Sequence, residues 1–172
     1  MSNEIFEVVR TVMAIREYDG RPLPDDLARR IVEAGHLTAS ASNHQPWHFV
    51  LVRDPERVRK LGSLIRTGRY TSGAAAAVIV AYEKEFGQYG MSDASRAIQS
   101  MILTAWADGV GSNWTGFGGL EGVREWAGLP DTFDVLGVLP FGYPKRKVGL
   151  GKKKRKPFDE VVSSERYGRH LT

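Results

Sequence analysis

Three groups of residues in this chain have types and spacing that chemistry could use. The first is the segment Thr38-Ala39-Ser40-Ala41-Ser42-Asn43-His44-Gln45-Pro46-Trp47-His48-Phe49. Its small side chains would let the backbone approach a flat ligand, and Ser40, Asn43 and Gln45 offer oriented donors and acceptors. The same composition suits a plain helix-to-strand connection in which Asn and Ser satisfy their own backbone. Composition alone leaves these two readings equal. The second is Arg16, either a cation for a ligand or the surface partner of Glu17 or Asp19. The third is the run Lys145–Lys156, which holds eight basic side chains and no acid. Without those eight, 16 basic residues face 20 acidic ones, a balance of −4 against +4 for the whole chain. The basicity is therefore local, and it suits either an anion such as a phosphate or a solvated loop.

Several other chemistries find no support. There is no Gly-x-Ser-x-Gly elbow and no Walker phosphate loop. Gly109-Val110-Gly111 lacks the third glycine of a dinucleotide fingerprint and follows a helical segment where that motif requires a strand. His44 and His48 are four apart, but Pro46 between them prevents the helical geometry of a metal pair, so no metal site is expected. With no cysteine, disulfides, thiolate catalysis and Cys-ligated metals are excluded, which fits a cytoplasmic protein. No signal peptide is visible and no apolar run is long enough to span a membrane. The basic run has aromatics only at its edges, Tyr143 and Phe158, which argues against stacking on nucleic acid.

These residues must be positioned by an α+β framework. Ile5, Val8, Val9 and Val12 recur at helical spacing and predict a first helix over Glu4–Met13. Pro22-Leu23-Pro24-Asp25 opens a second helix carrying Leu27, Ile31 and Ala34. Trp47–Arg53 is β-branched and aromatic, hence a strand. Asp54-Pro55 starts a helix running to about Ile65. The apolar run Ala74–Tyr82 predicts a strand covered on both faces. Asp93–Asp108 reads as a long central helix closed by Gly109, Leu120–Ala127 as a shorter one closed by Gly128, and Phe133–Leu139 as a third strand. No linker or repeat divides the chain, so residues 1–172 are expected to form one domain around a mainly antiparallel or mixed sheet flanked by helices. Trp47, Trp106 and Trp126 are expected as core or interface fillers. Tyr82, Phe86 and Tyr89 are unranked candidates for a pocket wall.

The chain also resembles the nitroreductase family. Thr38–Phe49 is similar to the family's Pro-Ser-Ala-Gly-Asn-x-Gln-Pro-Trp signature, with Ala39 where the family usually has Pro. Ile15-Arg16-Glu17-Tyr18, then Pro22-Leu23-Pro24, resembles its Arg-Arg-Ser-x-Arg-x-Phe element. Gly109-Val110-Gly111-Ser112-Asn113-Trp114-Thr115-Gly116 resembles its Gly-x-Gly strand. Gly142-Tyr143-Pro144 and Lys153–Val162 resemble its closing elements. The Asn-x-Gln-Pro-Trp match is fairly specific, and the others gain weight from being collinear.

The resemblance implies a homodimer with FMN sites shared between subunits and NAD(P)H as transient electron donor. It implies reduction of a nitroaromatic, quinone or similar small acceptor. Arg16 would lie at the pyrimidine edge of the flavin. Ser40, Asn43 and Gln45 would reach it partly from the partner subunit. Trp114, Thr115 and Gly116 would line the ring, and Lys153 and Arg155 would grip the phosphate. No catalytic side chain is implied, because the flavin carries the chemistry. At two usual phosphate ligands, Arg and Ser, this chain has Val12 and Ala14. Compensation by the lysine-rich run is the expectation. A flavin-binding carrier or sensor without reductase activity is the alternative.

Overall fold

Most of the nine-residue apolar run Ala74–Tyr82 becomes one of the two inner strands of a four-stranded sheet. The computed structural model describes residues 2–116, 118–149 and 153–171, leaving aside the side chains of Ser2 and Asn3. Helix α1 (Ser2–Thr11) and helix α2 (Asp25–His36) precede strand β1 (Trp47–Val52). Helix α3 (Pro55–Leu64), strand β2 (Ala76–Glu83) and helix α4 (Gly87–Ala107) follow. Strand β3 (Gly111–Ser112), helix α5 (Glu121–Trp126), strand β4 (Phe133–Gly142) and the single turn α6 (Phe158–Val161) complete the order. The sheet runs β1-β2-β4-β3, and every pair of named strands is antiparallel.

Alternation along β2 explains why its sequence carries no polar face. Ala76, Val78, Val80 and Tyr82 pack toward α2 and α4, beside Leu27, Ile31, Ala97, Ile98 and Met101. Ala77 and Ile79 point the other way, into a second core with Val58, Leu61, Val123 and Val138 on the α3 and α5 side. A strand between two helical layers must be apolar at both parities. The cap signals also hold. The Asp54 carboxylate accepts from Arg57 N–H at 2.8 Å at the start of α3. Gly109 (φ +75°) and Gly128 (φ +69°) adopt the left-handed conformation just after α4 and α5.

One boundary differs in substance from expectation. The central helix begins at Gly87, six residues before Asp93. Gly87-Gln88-Tyr89-Gly90 reads as a loop by composition, but Gly90 is needed for packing. A Cβ there would lie 3.0 Å from Phe86 Cβ and 3.1 Å from the Tyr82 ring. Glycine lets the first turns of the helix press against the end of β2. Among the described residues no helix is long and apolar enough to cross a membrane.

Candidate functional site

After α1 the chain runs extended beside the sheet edge. Ala14 bridges Ser112 in parallel, and Ile15 N–H donates to the Ser112 carbonyl at 2.9 Å. Ile15 is buried against Gly111, where a Cβ would come within 2.4 Å of Ile15 Cγ1. Arg16 then points to solvent. Its two acidic neighbours are engaged elsewhere, Glu17 with Arg146 at 3.7 Å and Asp19 with Arg21 at 2.6 Å. The surface ion-pair reading of Arg16 is therefore overturned, and among the described residues its guanidinium has no carboxylate partner. It lies instead 5.9 Å from the centre of the Tyr70 ring.

Tyr70 ties Arg16 to the next segment. Its hydroxyl accepts from Asn113 Nδ2. Two residues on, Thr115 is buried and exchanges backbone hydrogen bonds with Val138. Gly68 closes on it so tightly that a Cβ there would lie 2.0 Å from Thr115 Oγ1. Gly116 follows at φ +82°. A cleft of about 480 Å³ opens here between Ile65–Thr67 and Gly116–Leu120. Gly118 and Gly119, both at positive φ, line it with bare backbone. Among the described residues that line this cleft none is a carboxylate or a histidine. Such a cleft can hold a flat ring but cannot by itself move protons, so its chemistry must come with its ligand.

Trp114 takes a separate direction. Its indole packs on Gly137, where a Cβ would lie 2.4 Å from Nε1. It lines a neighbouring cavity of about 430 Å³ with Tyr82, Met91 and Leu136, and this cavity shares Gly118, Gly119 and Leu120 with the cleft. Of the three aromatic pocket candidates, Tyr82 stands in that wall, Phe86 meets the His44 ring, and Tyr89 is exposed. Of the expected fillers, Trp47 is buried in the core, Trp106 donates to Thr11 Oγ1 at 3.0 Å, and Trp126 lies under the Arg57 guanidinium.

Ser40, Asn43 and Gln45 lie together on a loop pinned to the N-terminal half of α4. Gln45 N–H donates to Ser40 Oγ at 2.9 Å, and Gln45 Nε2 donates to the Asn43 carbonyl at 3.0 Å. Ser42, Asn43 and Gln45 all have positive φ, at 49°, 59° and 53°. Such conformations persist in non-glycine residues only when the surroundings impose them. Here Asp93, which is buried, accepts from Ala41 N–H at 2.9 Å and pairs with Arg96 at 2.9 Å. Arg96 also donates to the Ala39 carbonyl. Among the described residues no hydrogen bond joins this loop to Arg16 or Thr115. Arg16, Thr115 and Gly116 are thus gathered at one sheet edge, and Ser40, Asn43 and Gln45 at another place.

A third group lies at the end of α1. Lys153 Nζ donates to the Val9 carbonyl at 2.7 Å. Partial burial, then the nearby guanidinium groups of Arg155 and Arg10, hold its ammonium below the usual lysine pKa. Arg155 donates to the Lys154 carbonyl at 3.0 Å. Lys152, also in the basic run, lies outside the described residues. A flat ring fits the glycine-lined cleft, and an anionic tail suits the clustered basic side chains of Lys153 and Arg155.

Four residues of this arrangement escaped the sequence reading. Asp93 and Arg96 carry a signal, an acid and a base three apart on a helix face. Asn113 stands inside the Gly109–Gly116 match without an assigned role. Tyr70, in a polar loop with no periodicity, carries no signal.

Comparison with known proteins points one way. The model of the family described as Nitroreductase family matches residues 9–69 and 66–143. A protein of Archaeoglobus fulgidus described as an NADH dehydrogenase/NAD(P)H nitroreductase is 33% identical over 150 residues, 83% of this chain and 86% of that one. A structure of the same description from Bacteroides thetaiotaomicron superposes with a TM-score of 0.87 at 25% identity, covering 97% of this chain and all of that one. The NADPH:FMN oxidoreductase of Vibrio harveyi, complexed with NAD+, gives a TM-score of 0.84 at 25% identity, over 99% of this chain and 80% of that one.

Proposed function

The chain belongs to the nitroreductase family, and from that premise we propose that it is an FMN-dependent oxidoreductase reducing a small acceptor, such as a nitroaromatic or quinone, with NADH or NADPH. Arg16 supports the reading most directly: among the described residues it is a cation without an acid partner, and it lies against Tyr70, which Asn113 ties to the segment that leads into the glycine-lined cleft. FMN, when bound, supplies the redox chemistry that no side chain in the cleft can. Overall, the donor gives up two electrons and a proton, and a quinone acceptor takes two electrons and two protons, the second from solvent.

The side chains bind and tune. Arg16 places a fixed positive charge at the pyrimidine edge, which favours any added negative charge there and so raises the potential. Gly116 offers backbone to the ring, Thr115 fixes that segment through its pairing with Val138, and Trp114 walls the cavity beside the cleft. Lys153 and Arg155 hold the phosphate by charge-assisted hydrogen bonds. Ser40, Asn43 and Gln45 reach the ring from a second copy, because within one chain α4 holds their loop elsewhere. Residues 1–172 act as one domain, and the lack of cysteine suits a reducing cytoplasm.

The first experiment is an absorption spectrum of the purified protein, then anaerobic addition of NADPH and NADH. Flavin bands that bleach with either donor are expected. A yellow protein that neither donor bleaches would favour the carrier or sensor reading that Val12 and Ala14 motivate. A colourless protein that also refuses added FMN would defeat both.

A further inference from the structure

One part of the molecule runs against the charge of the whole. The chain carries +4, but around the cavity of about 430 Å³ beside the cleft acids outnumber bases. Glu121 and Asp134 stand in its wall, and Arg124 is the one basic group among the described residues that line it. The Arg124 guanidinium is already paired with Asp131. Asp134 has Lys84 at 3.4 Å, a contact between half-exposed groups, and Glu121 has no basic partner among the described residues. With those two outside partners included, three carboxylates face two cations. The rest of the wall is apolar, with the rings of Trp114 and Tyr82 in it. Tyr82 is only 9% exposed, yet among the described residues its hydroxyl makes no hydrogen bond. Burial, then the Asp134 carboxylate, raises its pKa, so in neutral solution it is an uncharged phenol. A hydroxyl this deep without a protein partner is available to a ligand.

We infer that this cavity is a subsite for an aromatic organic cation, held by the Trp114 and Tyr82 rings and the Glu121 and Asp134 carboxylates, so that the electron acceptor the protein prefers carries a positive charge. The inference rests on the flavin reading above. The cavity shares Gly118, Gly119 and Leu120 with the cleft, so a ligand that fills it abuts a ring lying there. Aromatic rings attract a cation to their faces, and the two carboxylates add a Coulombic pull. The Tyr82 oxygen can accept from an N–H of the ligand. The volume suits a ligand of one or two rings. A negatively charged acceptor would meet two carboxylates and no uncommitted cation, and an uncharged one would forgo only the charge term.

The test uses three probes with one ring and three charges: para-nitrobenzyltrimethylammonium, para-nitrobenzyl alcohol and para-nitrobenzoate. Affinity is measured by calorimetry on the purified protein, and kcat/KM with NADPH as donor. Each turnover takes the nitro group to nitroso with loss of water. The nicotinamide is oxidised, giving both electrons and one proton, and solvent gives the second proton. Wild-type protein should favour the cation over the anion about 10-fold in both measurements, and less in about 0.5 M salt. E121Q/D134N should bring that ratio close to one with the affinity for the alcohol unchanged. E121Q alone, on an exposed side chain, should lose part of the preference and keeps the test available if the double variant does not fold. E125Q makes the same charge change on the same helix outside the cavity and should keep the wild-type ratio. Equal affinities for cation and anion in the wild type overturn the inference, as does a ratio that E121Q/D134N leaves unaltered or that E125Q lowers as much as E121Q. A colourless protein that refuses FMN but keeps the cation preference overturns the oxidoreductase reading and leaves the cavity as the cation's site.

Discussion

Arg16 and Tyr18 stand two residues apart on one extended segment, one in water and the other mostly buried. The Tyr18 hydroxyl donates to the Ile15 carbonyl at 2.9 Å, and burial pushes its pKa well above the ordinary phenol value of 10.0, with Arg16 opposing in a smaller way. The folded chain therefore keeps a proton that the unfolded chain releases above about pH 10. The Tyr18 contribution to stability is complete below that pH and is lost as pH rises past it. Urea unfolding at pH 8 and pH 10.5 should show a larger stability loss in the wild type than in Y18F, while Y18F itself costs about 1 kcal/mol at pH 8 for the missing hydrogen bond. Equal alkaline losses in both proteins would contradict this. Arg16 could be picked out by its place in the sequence, but its lack of a partner could not. That depends on Arg146 and Arg21 drawing Glu17 and Asp19 away, which only the folded backbone arranges. Tyr70 was invisible for a similar reason, since its value lies wholly in what the fold sets above and beside it.

Among the elements, strands and capped helices were readable because burial writes period and punctuation into the sequence. The loop 39–45 was readable in composition but not in conformation. Its three left-handed residues are dictated by α4, above all by Asp93, which sits at the opposite end of a sequence gap of about fifty residues. D93A leaves the Ala41 N–H without its acceptor and takes the carboxylate from Arg96, which is half-exposed and keeps the Ala39 carbonyl, at a cost of about 1–3 kcal/mol. D93N keeps an acceptor for Ala41 and should recover much of that. Thermal melts give the stability, and FMN titration shows whether the loop has lost its shape, with D93A weakened and D93N close to wild type. A D93A protein with unaltered stability would mean the bracket is ornamental.

For the whole molecule, a single chain leaves large apolar side chains in water at both ends. Ile5, Phe6 and Val9 on α1 are 72%, 62% and 45% exposed, and Phe158, Val161 and Tyr167 near the C-terminus are 69%, 62% and 102% exposed. Exposure on this scale marks an interaction surface. The helical spacing of Ile5, Val8, Val9 and Val12 revealed an apolar face but not where it points, because core and interface leave the same pattern. Sedimentation equilibrium should give twice the 19.1 kDa chain mass, with flavin and dimer lost together on dilution. A flavin-bound monomer would sink the shared-site arrangement.

Helix α4 touches both halves of that arrangement. Asp93 holds the loop near one end, and Trp106 holds Thr11, just before the Arg16 segment, near the other. The thirteen residue steps from Asp93 to Trp106 span about 20 Å of straight helix. A rod of that length keeps the two attachments apart however the side chains fluctuate. Ligand uptake therefore cannot proceed by one copy folding shut like a jaw. The spacing of the two attachments is set before any ligand arrives.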